Sequence, residues 1–170
     1  MPYVVSTIFF AIALGIIFIL WYASEKTLSI HSINSPRREV FYWATVLATF
    51  ALGTAAGDMT AIAFGWGFLS SGIIFTVLIT AVAASHYTAK AVLGPGHRHL
   101  FRNAVFAFWL AYVLTRPLGA SFADWMGKAQ TAGGLGWGDG PVALGLGILI
   151  FGLVGYLAIT RKDVQNHTPV

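Results

Sequence analysis

Long apolar runs recur five times along the chain, separated by short polar stretches. Tyr3–Tyr22, Glu39–Asp58, Trp66–Ser85 and Pro141–Thr160 are each almost wholly apolar. Each is about 20 residues long, enough at about 1.5 Å rise per residue to cross a bilayer's hydrocarbon core. A fifth run, Asn103–Asp124, is as apolar but carries Arg116-Pro117 in its interior. The pattern predicts an all-α integral membrane protein with about five transmembrane helices, forming a single membrane domain over residues 1–170. The first run has no basic stretch before it, and Trp21-Tyr22-Ala23 makes a poor small-residue cleavage site. It is therefore read as a retained anchor rather than a signal peptide.

Composition agrees. Only 9% of the 170 residues are charged, against about a quarter in ordinary soluble domains. There is no cysteine, so disulfides and thiolate metal sites are excluded. The net charge of +4 gains meaning from its placement. Alternating the loops puts Lys26, Arg37, Arg38, Lys90, Arg98, Arg102, Arg161 and Lys162 on one face, and Lys128 alone on the other. Eight against one orients the N-terminus of a multi-pass membrane protein outward and its C-terminus into the cytoplasm. The lipid bilayer accounts for the basic balance, and nucleic acid is not implied as a partner.

The chain also repeats itself. Trp43, Thr49, Leu52, Gly53 and Asp58 reappear 66 residues later as Trp109, Thr115, Leu118, Gly119 and Asp124. Gly65-Trp66-Gly67 returns as Gly136-Trp137-Gly138 after a five-residue insertion. Two units follow, about 41–85 and 107–160, each an outgoing helix, a Gly-rich turn and a returning helix. Both run in the same direction, so the repeats are parallel, related by an axis along the membrane normal. The run Phe41-Tyr42-Trp43 through Leu52-Gly53-Thr54-Ala55-Ala56-Gly57-Asp58, with Thr115-Arg116-Pro117-Leu118-Gly119-Ala120-Ser121 and Gly133-Gly134-Leu135-Gly136, resembles a known family. This is the family of uncharacterised bacterial membrane-anchored proteins built from tandem two-helix repeats with a characteristic tryptophan. The resemblance implies a fold of usually four repeats, of which this chain is similar to the C-terminal two plus one leading helix. It implies no activity and no cofactor.

Trp43, Phe50, Gly53 and Gly57 fall on one arc of their helix, as do Trp109, Arg116, Gly119 and Ala123 of the other. Gly53-x-x-x-Gly57 and Gly119-x-x-x-Ala123 are small-x-x-x-small pairs that let helix backbones approach closely. These faces are expected to pack on each other or on a second copy. Small residues lining a narrow pathway are the other reading. Arg116 lies about 16 Å along its helix from Val105, near the bilayer midplane. A cation there must face the protein interior beside a partner. Asp58, on the neighbouring helix, is expected to be that partner ahead of Asp124. Both aspartates lie at helix ends beside tryptophans, where they cap turns or meet a cation arriving from outside. Thr49 and Thr115, at equivalent repeat positions, complete the candidate pathway.

The histidines add little. His97-Arg98-His99 follows Gly94-Pro95-Gly96 in a basic loop, and His31, His86 and His167 are isolated. The zinc-protease, phosphate-loop and serine-elbow motifs are missing, so no enzyme is inferred and no metal or cofactor is assigned. Two function classes stand. One is a small transporter or channel-like protein for a small ion, a cation favoured, or solute, acting as an oligomer. The other is a non-catalytic subunit of a larger membrane complex. The charge asymmetry yields a direct test: reporter fusions at Pro36 and at Val170 should both report cytoplasm, and an external signal at either would overturn the topology.

Overall fold

The structure is a computed structural model that describes residues 2–30, 33–93 and 98–160. Five helices follow in order: α1 (Tyr3–Glu25), α2 (Pro36–Asp58), α3 (Phe68–Leu93), α4 (Arg98–Gly127) and α5 (Asp139–Thr160). A π-helical turn, Met59–Ala63, extends α2, and a 3₁₀ turn, Gln130–Ala132, follows α4. No strand occurs among the described residues. Each helix contains a stretch long and apolar enough to cross a membrane. Each helix overruns its predicted run at one end or both, and at the start of α2 the polar residues have partners. α2 starts at Pro36 rather than Glu39: Ser35 Oγ accepts the Arg38 N–H at 3.4 Å, Pro36 opens the helix, and Glu39 lies in its first turn. Those are the residues a helix N-terminus favours. α4 likewise begins at Arg98, five residues before the predicted start, so Arg98 and His99 belong to a helix rather than to a loop. His31, His97 and His167 lie outside the described residues.

Contacts divide the chain into two compact units, Met1–Phe122 and Ala123–Val170. In the first, α1 and α2 form a close pair. Trp21 is buried and stacks on Phe41, with centroids 6.2 Å apart, and Leu14 is buried further along α1. Glu25 at the end of α1 accepts from Arg38 Nε at 2.6 Å, tying the two helix ends across the intervening loop. Between them Lys26 takes a left-handed conformation, φ 55°, and its N–H closes α1 on Tyr22 C=O at 2.9 Å. This is a helix stop more often supplied by glycine.

α2 meets α4 through glycine. A Cβ at Gly53 would collide with Arg116 Cβ and lie 3.0 Å from the Pro117 nitrogen. One at Gly57 would touch Ala120 Cβ, Pro117 C=O and Ser121 Oγ at 3.5–3.6 Å. The predicted close approach is therefore present, with Arg116, Pro117, Ala120 and Ser121 as its other half. Gly119 is not part of it: this residue is exposed with nothing near its Cβ position. α3 joins α4 where Gly72 lies against the Phe122 ring.

The two repeats match each other at their turns. Trp66 N–H bonds to Thr60 C=O and Gly67 N–H to Ala61 C=O, at 3.3 and 3.0 Å. Trp137 N–H bonds to Met126 C=O and Gly138 N–H to Gly127 C=O, both at 3.1 Å. Ser71 N–H then bonds to Gly67 C=O, as Val142 N–H does to Gly138 C=O. These are the same three bonds at equivalent repeat positions. Gly65 and Gly67 have φ of 69° and 80°, and Gly136 and Gly138 have 80° and 87°. Such angles strain any residue with a Cβ, which explains glycine on both sides of each tryptophan. The five extra residues of the second turn, with the 3₁₀ segment among them, lie inside the loop that these hydrogen bonds close.

The glycine geometry separates two positions that the repeat makes equivalent. Gly53→Ala should lower stability by about 2 kcal/mol, the order of an overpacked contact. Gly119→Ala should be neutral or raise stability by up to about 1 kcal/mol through helix propensity. Thermal unfolding of both variants in one mild detergent checks this, and equal effects would refute the assigned seam.

Candidate functional site

Apart from Ser29, the buried polar side chains described in the first unit lie on α2 with its π turn, on α3 and on α4. Thr45, Thr49 and Thr60 are buried on α2 and its π turn, Ser71 on α3 and Ser121 on α4. The threonine hydroxyls donate back to their own helix: Thr45 to Phe41 C=O and Thr49 to Val46 C=O at 2.8 Å, Thr60 to Ala56 and Gly57 C=O at 3.1 and 3.0 Å. This common habit of helical threonines leaves each oxygen able to accept. The serines differ. Ser71 Oγ and Ser121 Oγ are buried with no hydrogen-bond partner. Gly72 against Phe122 brings the turn of Ser71 beside the turn of Ser121, and Ser121 Oγ faces Gly57. A buried hydroxyl left unmatched costs about 1–3 kcal/mol, so two at one junction call for an explanation.

Arg116 flanks these hydroxyls. Its Nη2 donates to Tyr112 Oη at 2.7 Å, and the guanidinium lies 5.0 Å from the Tyr112 ring centroid and 5.6 Å from that of Phe50. Its Nε is buried without a partner. Tyr112 thus takes the place expected for Asp58. The reason is local: Tyr112 is four residues earlier on the same helix, where side chains meet, and aromatic faces attract a guanidinium without a second buried charge. Pro117 follows inside α4 and has no N–H to offer. Gly53 of α2 covers that position.

The other candidate residues fall in separate places. Gly53 lines the seam and Thr49 is buried one turn before it, while Thr115 is exposed and donates to Tyr112 C=O at 2.6 Å. Asp58 ends the α-helical part of α2, half-buried and held by interactions of its own. Within the second unit, Lys128 Nζ lies 3.5 Å from Asp124 and 3.2 Å from Asp139, bracing the α4–α5 turn. The hydrogen bond to Asp139, with the charge of Asp124 behind it, raises the Lys128 pKa above the usual lysine value. Ala123, the small partner of Gly119 in sequence, is half-buried in that unit. No group of three or more His, Asp or Glu suited to a metal occurs among the described residues.

The paired tryptophans part company. Trp109 is 5% exposed: its Nε1 donates to Leu28 C=O at 2.8 Å, and its ring meets Phe18 and Trp21 edge-on. Trp43, expected to pack in the same way, is 53% exposed beside Leu47 and Phe50, also exposed. α1 covers one tryptophan and leaves the other bare.

With this geometry in view, the match to known proteins is specific. The repeat of unknown function DUF347 matches residues 41–91 and again 107–163, more than half of the chain. The chain belongs to this family. The two matched segments open just before Trp43 and Trp109 and contain both Gly-Trp-Gly turns, so the family's repeat is the structural repeat described above. No curated protein and no solved structure matches the chain.

Tyr112, Ser71 and Thr45 entered the site only with the structure. Tyr112 alone had a sequence signal, its four-residue spacing from Arg116. Tyr112→Phe should lower stability by about 1.5–3 kcal/mol, the range for a hydrogen bond to a charged group. The same change made in an Arg116→Ala background should cost little more than Arg116→Ala alone. A silent Tyr112→Phe, with Asp58→Asn damaging instead, would restore the carboxylate as the partner.

Proposed function

We propose that this chain is a small membrane transporter or channel-like protein for a small ion or solute, working as an oligomer. In this reading all five helices cross a bacterial inner membrane, with Met1 outside and the basic loops and Val170 in the cytoplasm. The two repeats run parallel about an axis along the membrane normal. The observation that carries the reading is the pair of buried, unpartnered hydroxyls, Ser71 and Ser121. Hydroxyl oxygens inside an apolar helix assembly offer a dehydrating ion or a polar solute the ligands that lipid cannot. Arg116 supports the same view, since a cation within a membrane helix is costly and marks function more often than scaffolding. Its guanidinium repels cations from its own level, so selection for a cation rests on Asp58 at the end of α2. Asp124, beside Lys128, is the second carboxylate of that kind.

The bare stripe of Trp43, Leu47 and Phe50, with exposed Gly119 on α4, favours self-association. It also supports the second reading, a non-catalytic subunit held in a larger membrane complex through the same faces. Flux and composition separate the two. Proteoliposomes of the purified chain should pass potassium, sodium or chloride above the rate of empty vesicles. Ser121→Val should cut that flux at least tenfold without changing the oligomer seen in nanodiscs. Vesicles silent to every ion tried, from a chain that copurifies in fixed proportion with another membrane protein, would replace the first reading by the second.

A further inference from the structure

A groove opens between α1 and α4, away from the hydroxyl junction. It encloses about 560 Å³ and is lined by Phe18, Tyr22, Lys26 and Thr27 on one side and by Phe106 and Trp109 on the other. That volume is within the usual range for ligand pockets, about 300–1,000 Å³. Its walls are aromatic and aliphatic, and its polar groups gather at the end where α1 stops. Trp109 Nε1 is already engaged by Leu28 C=O, so the floor offers no free donor. The mouth does. Lys26 is exposed, and among the described residues no ion pair is recorded for it. Thr27 Oγ1 accepts the Ser29 N–H at 3.2 Å, which leaves its hydroxyl hydrogen to donate outward. The nearest carboxylate in sequence, Glu25, is held by Arg38. The mouth is therefore positive and rich in donors.

Dimensions narrow the occupant. From Lys26 to Phe18 on α1 is eight residues, and the lining stretch of α4 from Val105 to Val113 is the same length. Eight residues of helix rise about 12 Å. One leaflet of hydrocarbon is about 15 Å deep, half the usual core. An apolar channel of that depth, ending at an exposed lysine in the basic loop, has the profile of one phospholipid chain and its headgroup. We propose that this groove is a binding site for an anionic phospholipid, one acyl chain lying against Phe18, Phe106 and Trp109 and the phosphate at Lys26. The lipid then braces the contact by which α1 covers the second repeat's tryptophan. The site is independent of the transport reading.

The purified full chain, titrated in mild detergent with dioleoyl phosphatidylglycerol or dioleoyl phosphatidylcholine, tests this by thermal shift and native mass spectrometry. Phosphatidylglycerol should bind about fivefold more tightly, the worth of one basic residue at a lipid surface. Lys26→Gln should equalise the two lipids, and Lys26→Arg should retain the preference. Leu110→Trp, which fills the groove wall, should abolish retention of either lipid. Equal binding by the unaltered chain would overturn the proposal, as would a preference that survives Lys26→Gln. So would a groove filled by a second copy, seen as dimer-dependent protection from both lipids.

Discussion

The close approach of α2 to α4 at Gly53 is the contact on which the first unit depends. Any side chain at Gly53 would occupy the space of Arg116 Cβ, and the Pro117 nitrogen lies at the same level. Proline has no N–H there, so the two backbones meet where α4 has no donor to satisfy. Helices in lipid gain little from burying apolar surface against one another, because lipid is equally apolar; close backbone packing takes its place. Glycine opposite proline achieves that packing. It also draws Arg116 and, level with Gly57, Ser121 to the seam. The fold and the candidate site thus rest on one contact.

The Gly-Trp-Gly turn is the second fixed element, and it is conformational rather than packed. Two glycines with positive φ flank each tryptophan, and three backbone hydrogen bonds recur at equivalent positions. The turn survives a five-residue insertion because the extra residues are looped out between the acceptors Met126 and Gly127 and the donors Trp137 and Gly138. An amide pattern that tolerates such a change sets the repeat more firmly than any side-chain pair. Trp66 and Trp137 need not be buried for it to form, and both are exposed.

Duplication supplied two copies of the same helix, and the structure uses them differently. Thr49 and Gly53 are buried, whereas Thr115 and Gly119 are exposed. Trp109 is buried under α1, whereas Trp43 is bare. Phe50 lies beneath the guanidinium of Arg116, which stands at the equivalent position of the other repeat. A leading helix that covers only one copy breaks the symmetry, and the broken symmetry creates both the polar junction and the groove beside Lys26.

Much of this was legible in the order of residues. Five apolar runs, the repeat, the Gly-Trp-Gly turns and the use of Gly53 and Gly57 as a close-packing face all follow from local spacing. Helix formation and turn conformation are decided within a few residues, by hydrogen bonds and by the presence or absence of a Cβ. The partners were not legible. Equivalent sequence positions predict equivalent roles, and for Trp43, Gly119 and Thr115 that inference failed, because burial depends on which helix lies opposite. Charge complementarity pointed Arg116 to Asp58, whereas the three-dimensional arrangement supplies the ring and hydroxyl of Tyr112. Two lone serines became a site only when Gly72 and Phe122 brought their helices together. Sequence by itself determined the helices and turns of each repeat; tertiary structure alone decided which face of each helix is covered, since that depends on residues far apart along the chain.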